Sequence, residues 1–237
     1  MQVKTKAIVI STLKFQEKSL LVTCYTASDG IKKYMVHNVF SSKKSNQKIA
    51  YFQPLTILEV EAFHKNKNTL EYFKEIRLAH PFHSIPNSIL KSTIAIFLSE
   101  ILYHSIKEEE QNINLFAFLE TALLWLDTHE INANFHIIFM LELTKFFGFY
   151  PDENTINFPF FDKREGYFVP YQTTDALNEA ESSLFKKIIG LKWDATSNNL
   201  TSNERYSLLK ILLDYYAQHL EGFKKPKSLE VLKEVFS

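Results

Sequence analysis

The hydrophobic pattern of this chain changes its period once, at "HPFHSIP" (His80–Pro86). Before it, apolar residues alternate or run in short β-branched and aromatic blocks, which is strand patterning. After it, they recur at helical spacing. A chain whose strands and helices are segregated in this way is read as α+β.

Five segments carry strand character: "KAIVISTLKF" (Lys6–Phe15), "SLLVTCYT" (Ser19–Thr26), "IKKYMVHNVF" (Ile31–Phe40), "LTILEVEAFH" (Leu55–His64) and "TLEYFKEIRLAH" (Thr69–His80). Ser28-Asp29-Gly30 separates the second and third, and Asp-Gly between strands is a strong hairpin signal because glycine supplies positive φ. In the fourth, Ile57, Glu59 and Glu61 alternate with Leu58, Val60 and Ala62. Closing the five into an antiparallel barrel removes exposed edges.

Asn87 or Ser88 caps a first helix, with Leu90, Ile94, Phe97, Leu98, Ile101 and Leu102 on one face. "NLFAFLETALLWLDTH" and "NANFHIIFMLELTKFFGF" continue the bundle to a stop at Gly148 and Pro151. Residues 151–172 break the period, as a loop or small hairpin. Three more helices follow, the second capped by Ser202 or Asn203. The expected domains are therefore 1–80, a barrel, and 81–237, a helical domain.

Hydrophobic residues make up 46% and charged residues 23% of the 237, a globular composition. No apolar run reaches the roughly 18–20 residues that a membrane span needs, and the N-terminal stretch lacks a signal peptide's apolar segment. The single Cys24 can form no internal disulfide. A cytoplasmic protein without membrane association is expected.

Net charge is zero, but it is unevenly spread. Residues 1–80 hold 13 Lys/Arg against 6 Asp/Glu, a balance of +7; the other 14 Lys/Arg face 21 Asp/Glu, a balance of −7. Such polarity builds a directional surface field.

Catalytic patterns are absent: no G-x-x-x-x-G-K-[ST], G-x-G-x-x-G, G-x-S-x-G or H-E-x-x-H occurs, and five scattered glycines build no phosphate cradle. His37, His64, His80 and His83 have no cysteine partners, so no metal site or cofactor is expected, and His80-x-x-His83 reads as plain linker. The chain is expected not to be an enzyme.

What remains is cationic and aromatic. The candidate DNA-binding set is Lys14, Lys32, Lys33, Tyr34, His37, Phe40, Lys43, Lys44 and Lys48. Lysines track phosphates and aromatic faces stack bases. Phe52, before "QPL", reads as core, and strand aromatics are core more often than platforms. The alternative is a non-catalytic adaptor whose barrel binds protein while its lysines face water.

"KAIVISTLKFQEKSLLVTCYTASDGIKKYMVHNV", "YFQPLTILEVE" and the terminal "HLEGFKKPKSLEVLKEVF" resemble RecO, the recombination mediator of bacterial DNA repair, over almost the whole chain. "QPLTILEVE" and "FDKREGYF" are most similar to the forms from Bacteroidetes-type bacteria. The resemblance implies an N-terminal OB-fold and a helical C-terminal domain. It also implies binding of single- and double-stranded DNA, strand annealing, and loading of RecA onto strands coated with single-strand-binding protein. The implied partners are RecR and the acidic, apolar C-terminal tail of the coating protein, for which Lys186/Lys187 and Lys224/Lys225 are candidate contacts. Many members carry a four-cysteine zinc motif; "PDENTINFPFFDKREGYFVP" stands there without cysteine, so zinc is not carried over. A basic "KGxR" run that commonly ends the third strand is here His37-Asn38-Val39-Phe40, which shifts the expected contact to Lys43, Lys44 and Lys48.

Overall fold

Strand β1 (Gln2–Phe15) is long enough to serve two neighbours, and a bulge between Val9 and Ser11 bends it to do so. Its first half pairs antiparallel with β4 (Ile57–Phe63) and its second half with β2 (Ser19–Thr26). The computed structural model describes residues 1–39, 49–65, 70–107, 110–193 and 200–236. At Gly30, φ is 62°, and the predicted hairpin forms there between β2 and β3 (Gly30–Val36). The Thr26 hydroxyl ties that turn, accepting from Asp29 N–H and donating to the Gly30 carbonyl.

With β5 (Tyr72–Leu78) the order is β3-β2-β1-β4-β5, an OB-like antiparallel sheet. Its edges meet at one parallel bridge, where Met35 N–H donates to the Glu71 carbonyl (3.0 Å) and Glu71 N–H to the Lys33 carbonyl (2.8 Å). Beyond that bridge no further pairing joins β3 and β5 among the described residues, and the seam between them is open. β3 ends earlier than the sequence suggests, because Asn38 turns into the left-handed region (φ 57°).

Ala7, Val9, Val22, Cys24, Leu58, Val60 and Ala62 fill the interior. Leu58, Val60 and Ala62 are the inward set, as alternation predicts, while Glu59 faces solvent. The opposite face of β1 and β2 is also apolar: Ile8, Ile10 and Tyr25 are buried there. Helices α1 (Ile89–Ser105) and α2 (Ile113–Thr128) belong to the same compact unit as this sheet, which spans Met1–His129 and Pro226–Ser228. The Tyr25 ring lies against Phe116 (centroids 6.1 Å apart), and its hydroxyl donates to the Asn112 carbonyl. The change to helical period at residue 80 thus falls inside this unit.

Ser88 caps α1, whose Ile94, Phe97, Leu98, Ile101 and Leu102 are fully buried. The linker before it is held by Asp127 of α2, whose carboxylate accepts from the backbone N–H groups of His83, Ser84 and Ile85 at 2.8–3.1 Å. Burial alone would raise the carboxyl's pKa; these hydrogen bonds outweigh it and hold the group below the usual range.

The second unit comprises Glu130–Lys225 and Leu229–Ser237. In it α3 (Phe135–Leu143) tightens into a 3-10 turn (Thr144–Phe147) that stops at Gly148, φ 78°. Residues 151–172 include a small hairpin, β6 (Phe160–Asp162) with β7 (Tyr167–Val169). Asp162 holds its turn, accepting from Arg164 and Glu165 N–H and from the Thr173 hydroxyl. Phe161 meets Phe185 and Tyr215 at 4.5 and 5.5 Å between centroids. Phe185 lies on α4 (Glu179–Lys186) and Tyr215 on α5 (Ser202–His219); α6 (Leu229–Val235) completes the unit. The cap of α5 is Thr201 rather than Ser202 or Asn203, because Thr201 and Glu204 form a reciprocal capping box.

Candidate nucleic-acid interface

Strand alternation decides which basic and aromatic residues of the sheet reach solvent. On β3, Lys32, Tyr34 and Val36 pair with the inward Cys24, Val22 and Leu20 of β2, so they point inward. Lys33 and Met35 point to the other face, where Lys33 is exposed and Met35 is buried.

Two residues of the candidate set therefore do other work. Tyr34 is fully buried; its ring stacks on Phe73 with centroids 3.9 Å apart, and its hydroxyl meets His64 Nε2 at 2.6 Å. No face is left for a base, and burial pushes the phenol's pKa upward. Lys32 is only 6% exposed, and its charge helps to hold the Asp29 carboxyl below its ordinary range, alongside hydrogen bonds from Ser28 and His64 that outweigh burial. These side chains belong to a polar network inside the barrel.

That network has the outline of a catalytic triad. Asp29 Oδ2 lies 2.9 Å from His64 Nδ1, and His64 Nε2 faces the Tyr34 hydroxyl. Its hydroxyl has no access for a substrate, since Tyr34 is fully buried and His64 is 2% exposed. The chain Asp29–His64–Tyr34 is a structural lock. Among the described residues no cluster of three His, Cys, Asp or Glu side chains could hold a metal ion. Cys24 is buried in the barrel, and burial pushes its thiol's pKa upward.

Outward cations include Lys14 on β1, Lys18 in the β1–β2 turn, Lys33 on β3 and Lys65 after β4, all exposed, while the exposed Lys4, Lys6, Lys74 and Arg77 pair with carboxylates. Phe40, Lys43, Lys44 and Lys48 lie outside the described residues. The described residues on either side of them are anchored along the distal half of β1 and its turn. Val39 N–H donates to the Lys18 carbonyl at 2.9 Å, and the Thr12 hydroxyl donates to the Phe52 carbonyl at 2.9 Å. Phe52 is buried, as read from the sequence.

His37, exposed just beyond β3, contacts the Ser19 hydroxyl through Nδ1 (3.2 Å) and stacks on the Tyr72 ring at 6.0 Å. Tyr72 itself is 43% exposed, and Lys65 Nζ sits 5.5 Å above its ring. His37 and Tyr72 border a groove of about 430 Å³ along the open β3–β5 seam, with Tyr51, Phe52 and Phe73 among its walls. Tyr72, Lys65 and Lys18 were not singled out from sequence. The available signal was an aromatic strand start directly after the basic turn "HKNKN".

In the second unit, three of the four lysines considered for an acidic tail are engaged. Lys187 pairs with Glu204 at 2.7 Å, Lys225 with Asp214 at 2.8 Å, and Lys186 Nζ donates to the Phe158 carbonyl. A smaller groove of about 90 Å³ has Leu209, Leu232 and Phe236 as apolar walls with Arg205 and Lys233 beside them. Lys210 and Lys233 both lie over the Tyr206 ring, at 4.4 and 4.7 Å. Among the described residues no helix is long and apolar enough to cross a membrane.

Comparison with known proteins covers the whole chain. The family described as Recombination protein O N terminal matches residues 1–82, and Recombination protein O C terminal matches residues 86–230. The DNA repair protein RecO of Flavobacterium psychrophilum is 64% identical over 238 residues, and that of Flavobacterium johnsoniae 59% over 237, each covering all of both chains. The DNA repair protein RecO of Bacteroides fragilis is 36% identical over 98% of each chain.

Proposed function

Because the chain belongs to the RecO family of DNA repair proteins, we propose that it is a non-catalytic, cytoplasmic mediator that binds single- and double-stranded DNA on its OB-like sheet. It anneals complementary strands and, with RecR, helps load RecA onto DNA coated by single-strand-binding protein. The observation that carries the DNA-binding part is the cationic rim: Lys14, Lys18, Lys33 and Lys65 all face solvent from a segment with an excess of seven positive charges.

The mechanism is positional. Lysines neutralise phosphates and release counterions, which favours binding and makes it salt-dependent. Two strands held on one cationic surface repel each other less, which favours annealing. The acidic C-terminal tail of single-strand-binding protein fits the α5–α6 groove, where apolar walls stand beside Arg205 and Lys233.

Anisotropy of a labelled oligonucleotide across a salt series tests the reading. Affinity falls with salt at a slope of about −0.7 per phosphate contacted on single strands. Replacing Lys43, Lys44 and Lys48 together by Ala weakens binding and annealing while the fold is kept. Binding that is undetectable at low salt, or indifferent to salt, overturns the proposal in favour of a protein-binding adaptor.

A further inference from the structure

We propose that the open seam between β3 and β5 seats an unpaired nucleobase on the Tyr72 ring, so that this groove makes the protein favour single strands over duplex. The inference rests on the DNA-binding reading above and adds which form of DNA this site selects.

Four observations carry it. First, Tyr72 faces outward: register places its neighbour Phe73 opposite Ala62 in the barrel interior and Tyr72 opposite Phe63, which is itself 47% exposed. An aromatic ring left 43% exposed beside a groove retains a surface on which a flat ligand can stack. Second, the groove walls include further rings, Tyr51, Phe52 and Phe73. Third, cations surround the platform: Lys65 Nζ is 5.5 Å from the Tyr72 centroid, and Lys33 is exposed on the adjoining strand. Fourth, two of the carboxylates close by are ion-paired, and a third, Glu71, is buried at 2% exposure. Glu75, which lines the groove, is bonded by Arg77, and Glu61 by Lys74. The site therefore combines ring faces with a local excess of positive charge, which suits a base and its phosphate.

Duplex DNA cannot use such a site without losing pairs, because its base faces are already stacked. Phosphate contacts elsewhere on the barrel are open to both forms and, per contact, favour the denser charge of the duplex, so they cannot produce a preference for single strands. Stacking on the seam is thus the component that separates them, and one stacked base corresponds to about 5- to 150-fold in affinity.

The test compares three labelled probes of equal length on the full-length chain: an oligothymidine, an abasic oligonucleotide and a duplex. The wild-type protein binds oligothymidine at least fivefold more tightly than the abasic strand. Tyr72→Ala removes most of that difference and leaves abasic and duplex affinity within about twofold. Tyr72→Phe keeps it, since the ring face remains, and His37→Ala gives a smaller loss in the same direction. Circular dichroism monitors folding, and the wild-type comparison of thymidine with abasic DNA needs no variant. Equal wild-type affinity for those two strands overturns the inference, as does a Tyr72→Ala loss of equal size on all three probes. Wild-type binding to none of the probes overturns the DNA-binding reading itself, and this inference with it.

Discussion

At the scale of single residues, one short polar chain is set into the otherwise apolar core of the barrel. Tyr34, His64 and Asp29 form one chain of contacts, and each link leaves the next group satisfied. Tyr34→Phe keeps the ring on Phe73 but strands a buried imidazole nitrogen, and the expected destabilisation is about 1–3 kcal/mol in denaturant unfolding. DNA affinity of the folded variant is unchanged; a specific loss would return Tyr34 to the interface. His136, on α3, behaves differently. Full burial, helped by the Arg205 charge, pushes its pKa down from 6.5 to about 3. Below pH 6.5 the unfolded chain takes up a proton that the folded one refuses, so stability is lost as pH falls from 6.5 toward 3. The slope reaches up to about 1.4 kcal/mol per pH unit. Denaturant titrations at pH 6.5 and 5.0 should show a smaller drop for His136→Leu than for wild type.

At the scale of elements, the connection into the helices is held by a carboxylate as well as by the buried Ile85. Asp127→Ala removes the acceptor for three successive backbone N–H groups, and a loss of about 2–3 kcal/mol is expected. Because that carboxyl lies below its ordinary range in the folded state, its contribution is present above about pH 4 and fades as pH falls further. A variant as stable as wild type at pH 7 would show that the linker is held otherwise. Elements with strong local signals were legible in the sequence: the Asp29-Gly30 hairpin, the apolar face of α1 and the stop at Gly148. The inward phase of β3 was not, since "IKKYMV" alternates equally well either way. Its facing is set by pairing with β2 and by Asp29 and His64, groups brought together only by the fold. The same phase problem put Lys32 and Tyr34 among the solvent-facing candidates and left Tyr72 unnoticed.

At the scale of the whole molecule, charge and closure matter most. The excess of seven positive charges before residue 80 opposes an equal negative excess after it, so the chain carries a charge polarity that its net value hides. Among the described residues the sheet edges are joined by two backbone hydrogen bonds, around Glu71, against a full ladder between β1 and β2. Such a joint can part while the remaining strands stay paired. In native-state deuterium exchange, the Met35 and Glu71 amides should lose protection well before those of Leu21 and Thr23, which face β1. Equal protection would mean that the barrel opens only by global unfolding. Early exchange would make those two amides a built-in gauge of opening: a ligand lodged in the seam would slow them selectively and leave the β1–β2 amides at their original rates.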